Sequence, residues 1–268
     1  MGDIKLEKLW NRQYWKVMIC NFMLFFAFYL LTPLLPLYLD AEFAADKDTI
    51  GIVLSGYVVA TFLVRPFSGF IVDSFNRKMV LTLCFFTFFI CFAGYPGAST
   101  LLMFAIVRTM HGIPFGAATV ANSTVAIDVL PSSRRAEGIG YYGLSNNLAM
   151  AIAPSAGIYL YKYTGSFQIL FWIALGIALV GFVCSSTVKI PQKMMRKSKP
   201  HMDLDHFFLT RAWLMALNIS LFGLCWGVMQ NYVALYGKQQ LNITDGTGIF
   251  FAILSAGLVL SRLTGHKA

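Results

Sequence analysis

Gly69-Phe70-Ile71-Val72-Asp73-Ser74-Phe75-Asn76-Arg77-Lys78 separates two long apolar runs. The stretch holds one acid and a basic pair, whereas the 29 residues of Met79–Val107 that follow hold no charge. Upstream, Val17–Leu39 supplies 23 more uncharged residues. About 20 apolar residues in a helix cross the hydrocarbon layer of a bilayer. The charged stretch is therefore a turn between membrane-crossing segments.

Composition extends this to the whole chain. Hydrophobic residues make up 57% and charged residues 12%, with 24 Phe and a mean hydropathy of +0.66. A soluble domain carries about twice that charged fraction, so there is too little polar surface to cover a globule. In lipid only helices or closed barrels satisfy their backbone, and these runs lack strand alternation. The expectation is an all-α membrane protein with eight spans, near 15–39, 49–72, 79–95, 100–127, 138–161, 166–188, 211–236 and 246–264. The Gly94-Tyr95-Pro96-Gly97 turn divides the third from the fourth. Pro33, Pro36, Pro66, Pro114 and Pro154 mark kinks, which lipid-embedded helices tolerate.

An internal repeat organises the spans. At an offset of 197 residues Arg65 pairs with Arg262, Asp48 with Asp245, Gly51 with Gly248, Asn21 with Asn218, Phe25 with Phe222, and Tyr29 with Trp226. Doubled bundles of this kind are a common transporter architecture. The longest polar stretch joins the copies and contains Lys193, Arg196, Lys197, Lys199, His201, Asp203, Asp205 and His206. Residues 1–188 thus read as a six-helix half, 189–210 as a cytoplasmic basic linker, and 211–268 as the first two helices of a second half. Nothing copies spans three to six, so the second half is expected to be cut short.

The net charge of +9 does not point to nucleic acid. Of the 21 Lys and Arg, sixteen fall in segments on the side of the N-terminus, span ends included, and three (Lys47, Lys162, Lys238) on the other; Arg65 and Arg108 lie within spans. This positive-inside bias places both termini in the cytoplasm of a multi-pass cell-membrane protein, in bacteria the inner membrane. The basic face meets anionic lipid. The first apolar run is too long for a cleavable signal. All five Cys lie in spans and read as small core residues without a disulfide. No metal-ligand spacing is recognisable, the His201–His206 cluster included, and no cofactor is implied. A Gly-rich phosphate loop is missing, which weighs against ATP-driven transport; no hydrolase constellation marks an enzyme.

Several residues bear chemistry. Gly69 would allow close helix approach, and Asp73 would cap a helix or pair with Arg77. Arg108 is a cation in an apolar span, so it should face protein or a wet cavity. His111 follows on the same helix face. Imidazole titrates near neutral pH, so His111 carries a proton or is a hydrogen-bonded interface residue. No Asp or Glu lies deep in a span to partner Arg108, which weighs against carboxylate-based proton coupling. Gly112 and Gly116 form a small-residue packing edge, as do Pro154 and Gly157 with their kink. Polar side chains in spans, Tyr29, Thr32, Asn122, Asn146, Asn147, Trp226, Gln230 and Asn231, either line a substrate cavity or bond between helices.

These motifs carry a resemblance. Gly69 through Asp73 to Arg77-Lys78 resembles the signature loop of the major facilitator superfamily, with Asn76 where a second glycine is common; Asn also tolerates a left-handed turn. Arg108-Thr109-Met110-His111-Gly112-Ile113-Pro114-Phe115-Gly116 is similar to that family's fourth-span motif. Gly140, Ala149 and Ala153-Pro154-Ser155-Ala156-Gly157 resemble the antiporter motif of its export branch, with two glycines replaced by alanine and Ile158 after Gly157. The resemblance implies two halves rocking about a mid-membrane site. Gly69, Asp73, Arg77 and Lys78 would then form a cytoplasmic conformational latch. Spans one, four and seven would border the cavity, which favours Tyr29, Arg108, Trp226 and Gln230, with Asn146 and His111 in support. The expected function is secondary transport of a small organic solute, drug-like or a sugar, outward, with protons or another ion as coupling partner. The alternative is a truncated, non-transporting membrane protein, or one that needs a partner to complete the bundle.

Overall fold

A computed structural model describes residues 8–190 and 213–243, together with 249–254, 256–257 and 260. The described residues form helices α1 (Arg12–Leu31), α2 (Leu35–Phe43), α3 (Lys47–Ser74), α4 (Arg77–Ala93), α5 (Leu101–Val129), α6 (Arg135–Thr164), α7 (Phe167–Thr187) and α8 (Trp213–Gln240), and a 3₁₀ turn at Ser132–Arg134. Polar residues at the loop ends start the helices. Asn11, Asp46, Asn76 and Thr100 each accept a bond from the first-turn backbone of the helix that follows, the usual way of satisfying donors that lack an intrahelical partner.

Among the described residues five stretches are long and apolar enough to cross a bilayer: Arg12–Phe43, Lys47–Ser74, Leu101–Val129, Phe167–Thr187 and Trp213–Gln240. The expected count of eight is not reached on this measure. α4 has only 17 residues, and α6 carries Ser145, Asn146 and Asn147 among its apolar residues. The eighth expected span lies largely outside the described residues, although 249–254 is helical. The connector and its His201–His206 cluster also lie outside them.

The first expected span is two helices. The chain turns at Thr32-Pro33-Leu34, and Pro36 stands in the first turn of α2, where its missing N–H costs nothing. The Thr32 hydroxyl donates to the Phe28 carbonyl at 2.8 Å, which also accepts from the Thr32 N–H at 3.3 Å. At the repeat offset Pro33 pairs with Gln230, and α8 runs through that position unbroken to Gln240, four residues past its expected end. The two ends are nevertheless built alike. Ala44 (φ 48°) and Asn242 (φ 51°) are both left-handed. Each is followed by an N–H that reaches back six residues, Ala45 to Leu39 O at 3.2 Å and Ile243 to Gly237 O at 2.9 Å.

α5 is the central helix, packing on α3, α4 and α1, while α1 packs on α6 and α7. Small residues let α3 and α5 touch at the backbone. A Cβ on Gly112 would overlap the Tyr57 carbonyl oxygen, and one on Gly116 would press on Val64 and the Thr61 carbonyl. The Thr61 hydroxyl donates to the Gly112 carbonyl at 2.9 Å across this seam. On the other flank Gly157 of α6, one turn beyond Pro154, meets the Leu30 carbonyl of α1. Cys20 is buried and Cys84, Cys91 and Cys184 are half-buried, but Cys225 is exposed on α8, so the cysteines do not all fill the core.

Candidate functional site

Arg108 is the only buried Lys or Arg among the described residues, 4% exposed. It rises from α5 between α3 and α1. Its guanidinium carbon lies 4.0 Å from the Tyr57 ring centroid and 5.7 Å from that of Phe28. Such cation–π contact strengthens when water is excluded. One terminal nitrogen donates to the Tyr95 hydroxyl at 3.2 Å. Nε is buried without a hydrogen-bond partner. No carboxylate pairs with Arg108 among the described residues.

His111 lies one turn further along α5, 1% exposed. Its Nδ1 is 2.9 Å from the Tyr95 hydroxyl. Phe92 and Phe88 enclose the ring at 4.5 and 4.7 Å between centroids. Arg108, Tyr95 and His111 therefore form one hydrogen-bonded chain inside an aromatic wall.

A second cluster lies at the loop after α3. Arg77 donates to Asp73 at 2.9 Å and to Asp128, near the end of α5, at 2.5 Å. Partial burial opposes the Arg77 charge, but the two carboxylates outweigh it and hold its pKa above the ordinary value. The Asp128 side chain is 8% exposed and that of Asp73 is 69% exposed. Asp73 thus pairs rather than caps. The cap of α4 is Asn76, which is extended (φ −61°, ψ 111°) and not left-handed as expected. Gly69 also departs from expectation. A Cβ there would meet nothing within 4 Å, so no close helix contact depends on it among the described residues. Lys78 Nζ donates to the Ser185 carbonyl at 2.6 Å, tying α4 to the end of α7, and burial lowers its pKa.

The remaining candidates are dispersed. Tyr29 stacks on Phe25 and meets Phe28, the neighbour of Arg108. Asn21 donates to Ser145 Oγ at 2.8 Å, and Asn122 donates to the Tyr142 hydroxyl at 3.0 Å, linking α1, α5 and α6. Asn146 belongs to the same stretch of α6, with its amide oxygen buried and unpartnered. On α8, Trp226 is half-buried and stacks on Phe222, while Gln230 is buried with neither amide atom bonded. α8 packs on α2, and among the described residues no hydrogen bond or ring contact joins Trp226 or Gln230 to Arg108, Tyr95 or His111. Gln239 reaches Asp40 at 3.4 Å. A groove of about 710 Å³ lies between α3 and α8, lined by Asp48, Gly51, Ser55, Gly56, Thr109 and Tyr232 among others.

The family model of the Major Facilitator Superfamily matches residues 17–267. The chain belongs to the Major Facilitator Superfamily. It is 25% identical over 255 residues to the uncharacterized MFS-type transporter YhhS of Escherichia coli, covering 92% of this chain and 61% of that protein. It is 24% identical over 260 residues to the staphylopine export protein of Staphylococcus aureus, covering 94% and 64%. The chain thus spans less than two thirds of the length of these relatives. A crystal structure of the nucleoside transporter NupG matches its fold with a TM-score of 0.68 at 14% identity, covering 94% of this chain and 66% of that one.

As a superfamily member the chain is a multi-pass membrane protein. Its loop and fourth-span motifs involve partners that sequence reasoning missed. Asp128 holds the motif's Arg77, and an acid at the loop end of span four was the available signal. Tyr95 and Tyr57 hold Arg108. Tyr95 sits in a turn that was read only as punctuation, and no spacing rule links Tyr57 to a helix two elements later.

Proposed function

We propose that this chain is the transport unit of a secondary transporter that moves a small organic solute, drug-like or a sugar, out of the cell by alternating access. Eight spans with both termini cytoplasmic fit the charge distribution and the like-built ends of α2 and α8. The kinship to a staphylopine exporter supports the outward direction. The observation that carries the reading is Arg108, a buried cation at the junction of α1, α3 and α5 with no carboxylate partner among the described residues. Charges in such places mark substrate or ion pathways in membrane proteins. Asp73, Arg77, Lys78 and Asp128 act as the latch on the cytoplasmic side.

The test is solute flux in proteoliposomes, with an imposed pH gradient and without one. Arg108→Ala is expected to abolish flux while insertion is retained. Wild-type flux in that variant would remove Arg108 from the mechanism.

A further inference from the structure

We propose that Arg108 takes the anionic head group, a carboxylate or sulfonate, of an amphipathic solute whose apolar body lies on the Phe28–Phe115–Tyr57 wall. The inference rests on the transport reading and narrows its solute class.

Arg108 has unmet hydrogen-bonding capacity and an unpaired charge among the described residues. A guanidinium has five N–H donors, and Arg108 makes one hydrogen bond, to a neutral hydroxyl. The two ion-paired arginines show what satisfaction looks like here. Arg77 holds two carboxylates, and Arg134 grips both oxygens of Glu137 at 2.8 Å. A buried charge without a counter-charge is costly, and planar bidentate recognition of an oxyanion is what a guanidinium offers. The described acids cannot supply that anion. Asp73 and Asp128 are committed to Arg77, Glu137 to Arg134, and Asp40, Glu42, Asp46 and Asp48 lie at helix ends.

The surroundings suit an apolar body. Phe28 stacks on Phe115 at 4.9 Å and on Tyr57 at 5.2 Å, and Phe115 meets Tyr57 at 5.4 Å. Tyr95 is a positioning residue: it fixes one end of the guanidinium and leaves the Nε edge unbonded. At 4% exposure the site is occluded in the described arrangement, so the solute enters when the α1 aromatics part from α5.

The experiment is equilibrium dialysis of the full chain in detergent against naphthalenesulfonate and its neutral isostere naphthalenesulfonamide. Wild type should favour the sulfonate by about tenfold or more, the scale of a hydrogen bond to a charged group. Arg108→Gln should bring the ratio near one. Tyr95→Phe should weaken sulfonate binding several-fold. Equal binding of both probes by wild type, or a preference that survives Arg108→Gln, overturns the site. Should that variant fail to fold, arginine-directed phenylglyoxal labelling of wild type decides: naphthalenesulfonate should shield Arg108, and shielding of a different arginine overturns the assignment. Dialysis reads binding without flux. Sulfonate binding with no solute movement in vesicles therefore upholds this site and overturns the transport reading, while flux with no anion preference does the reverse.

Discussion

Gly112 shows how much one missing methyl group decides. Its Cα lets the Tyr57 carbonyl approach α5, and the Thr61 bond locks the seam. Tyr57 also covers the Arg108 guanidinium, so the packing residue and the charge are mechanically one unit. Gly112→Ala should destabilise the bundle by about 1–3 kcal/mol, the range for overpacking. Gly140→Ala, where a Cβ meets nothing within 4 Å, should be neutral or mildly stabilising. Thermal unfolding in detergent, followed by size exclusion, checks both; equal losses would refute the seam as the cause. The small-residue edge was legible in the sequence. That it bears on Tyr57 was not, because backbone contact between α3 and α5 is set by helix crossing.

The charged loop is best judged as a linkage between elements. Arg77 joins the end of α3, through Asp73, to the end of α5, through Asp128, while Lys78 joins α4 to α7. Exposed ion pairs contribute little and desolvated ones lose more when broken. Asp128→Asn should therefore lower stability by about 1 kcal/mol or more, and Asp73→Asn by less than about 0.5 kcal/mol. Melting of the two variants side by side tests the order; a larger loss for Asp73→Asn would overturn it. At the far end of α3, bonds from Thr49 hold the Asp46 carboxyl below its ordinary value. A depressed folded pKa means that this cap stabilises fully above the ordinary carboxylate range and weakens as pH falls through the lowered folded value. Asp46→Asn retains a cap without a charge, so the gap between wild type and variant should close below about pH 4. A gap independent of pH would show that the charge is irrelevant.

Across the whole molecule, orientation is the feature most open to measurement. With other cysteines replaced, single cysteines at Lys8 and Lys193 should react with an impermeant maleimide only from the cytoplasmic side. Cysteines at Lys47 and Lys162 should react only from outside. Lys8 and Lys193 on opposite faces would break the two-half scheme. The contacts of α8 with the rest lie near Asp40, Gly51 and Gln239, next to the loops that this orientation places outside.

The order of residues alone determined the helical membrane class, the turn at Gly94–Gly97, the loop motifs and the isolation of Arg108, because long uncharged runs and costly buried charges are properties of local composition. Only the tertiary structure decided who compensates whom. It split the first span at Pro33, made Asn76 a cap and left Gly69 without a neighbour. It also put Asp128 on Arg77 and two tyrosines from separate segments on Arg108. Those pairings depend on which faces of packed helices meet, and that is fixed by backbone approach at glycines rather than by spacing along the chain.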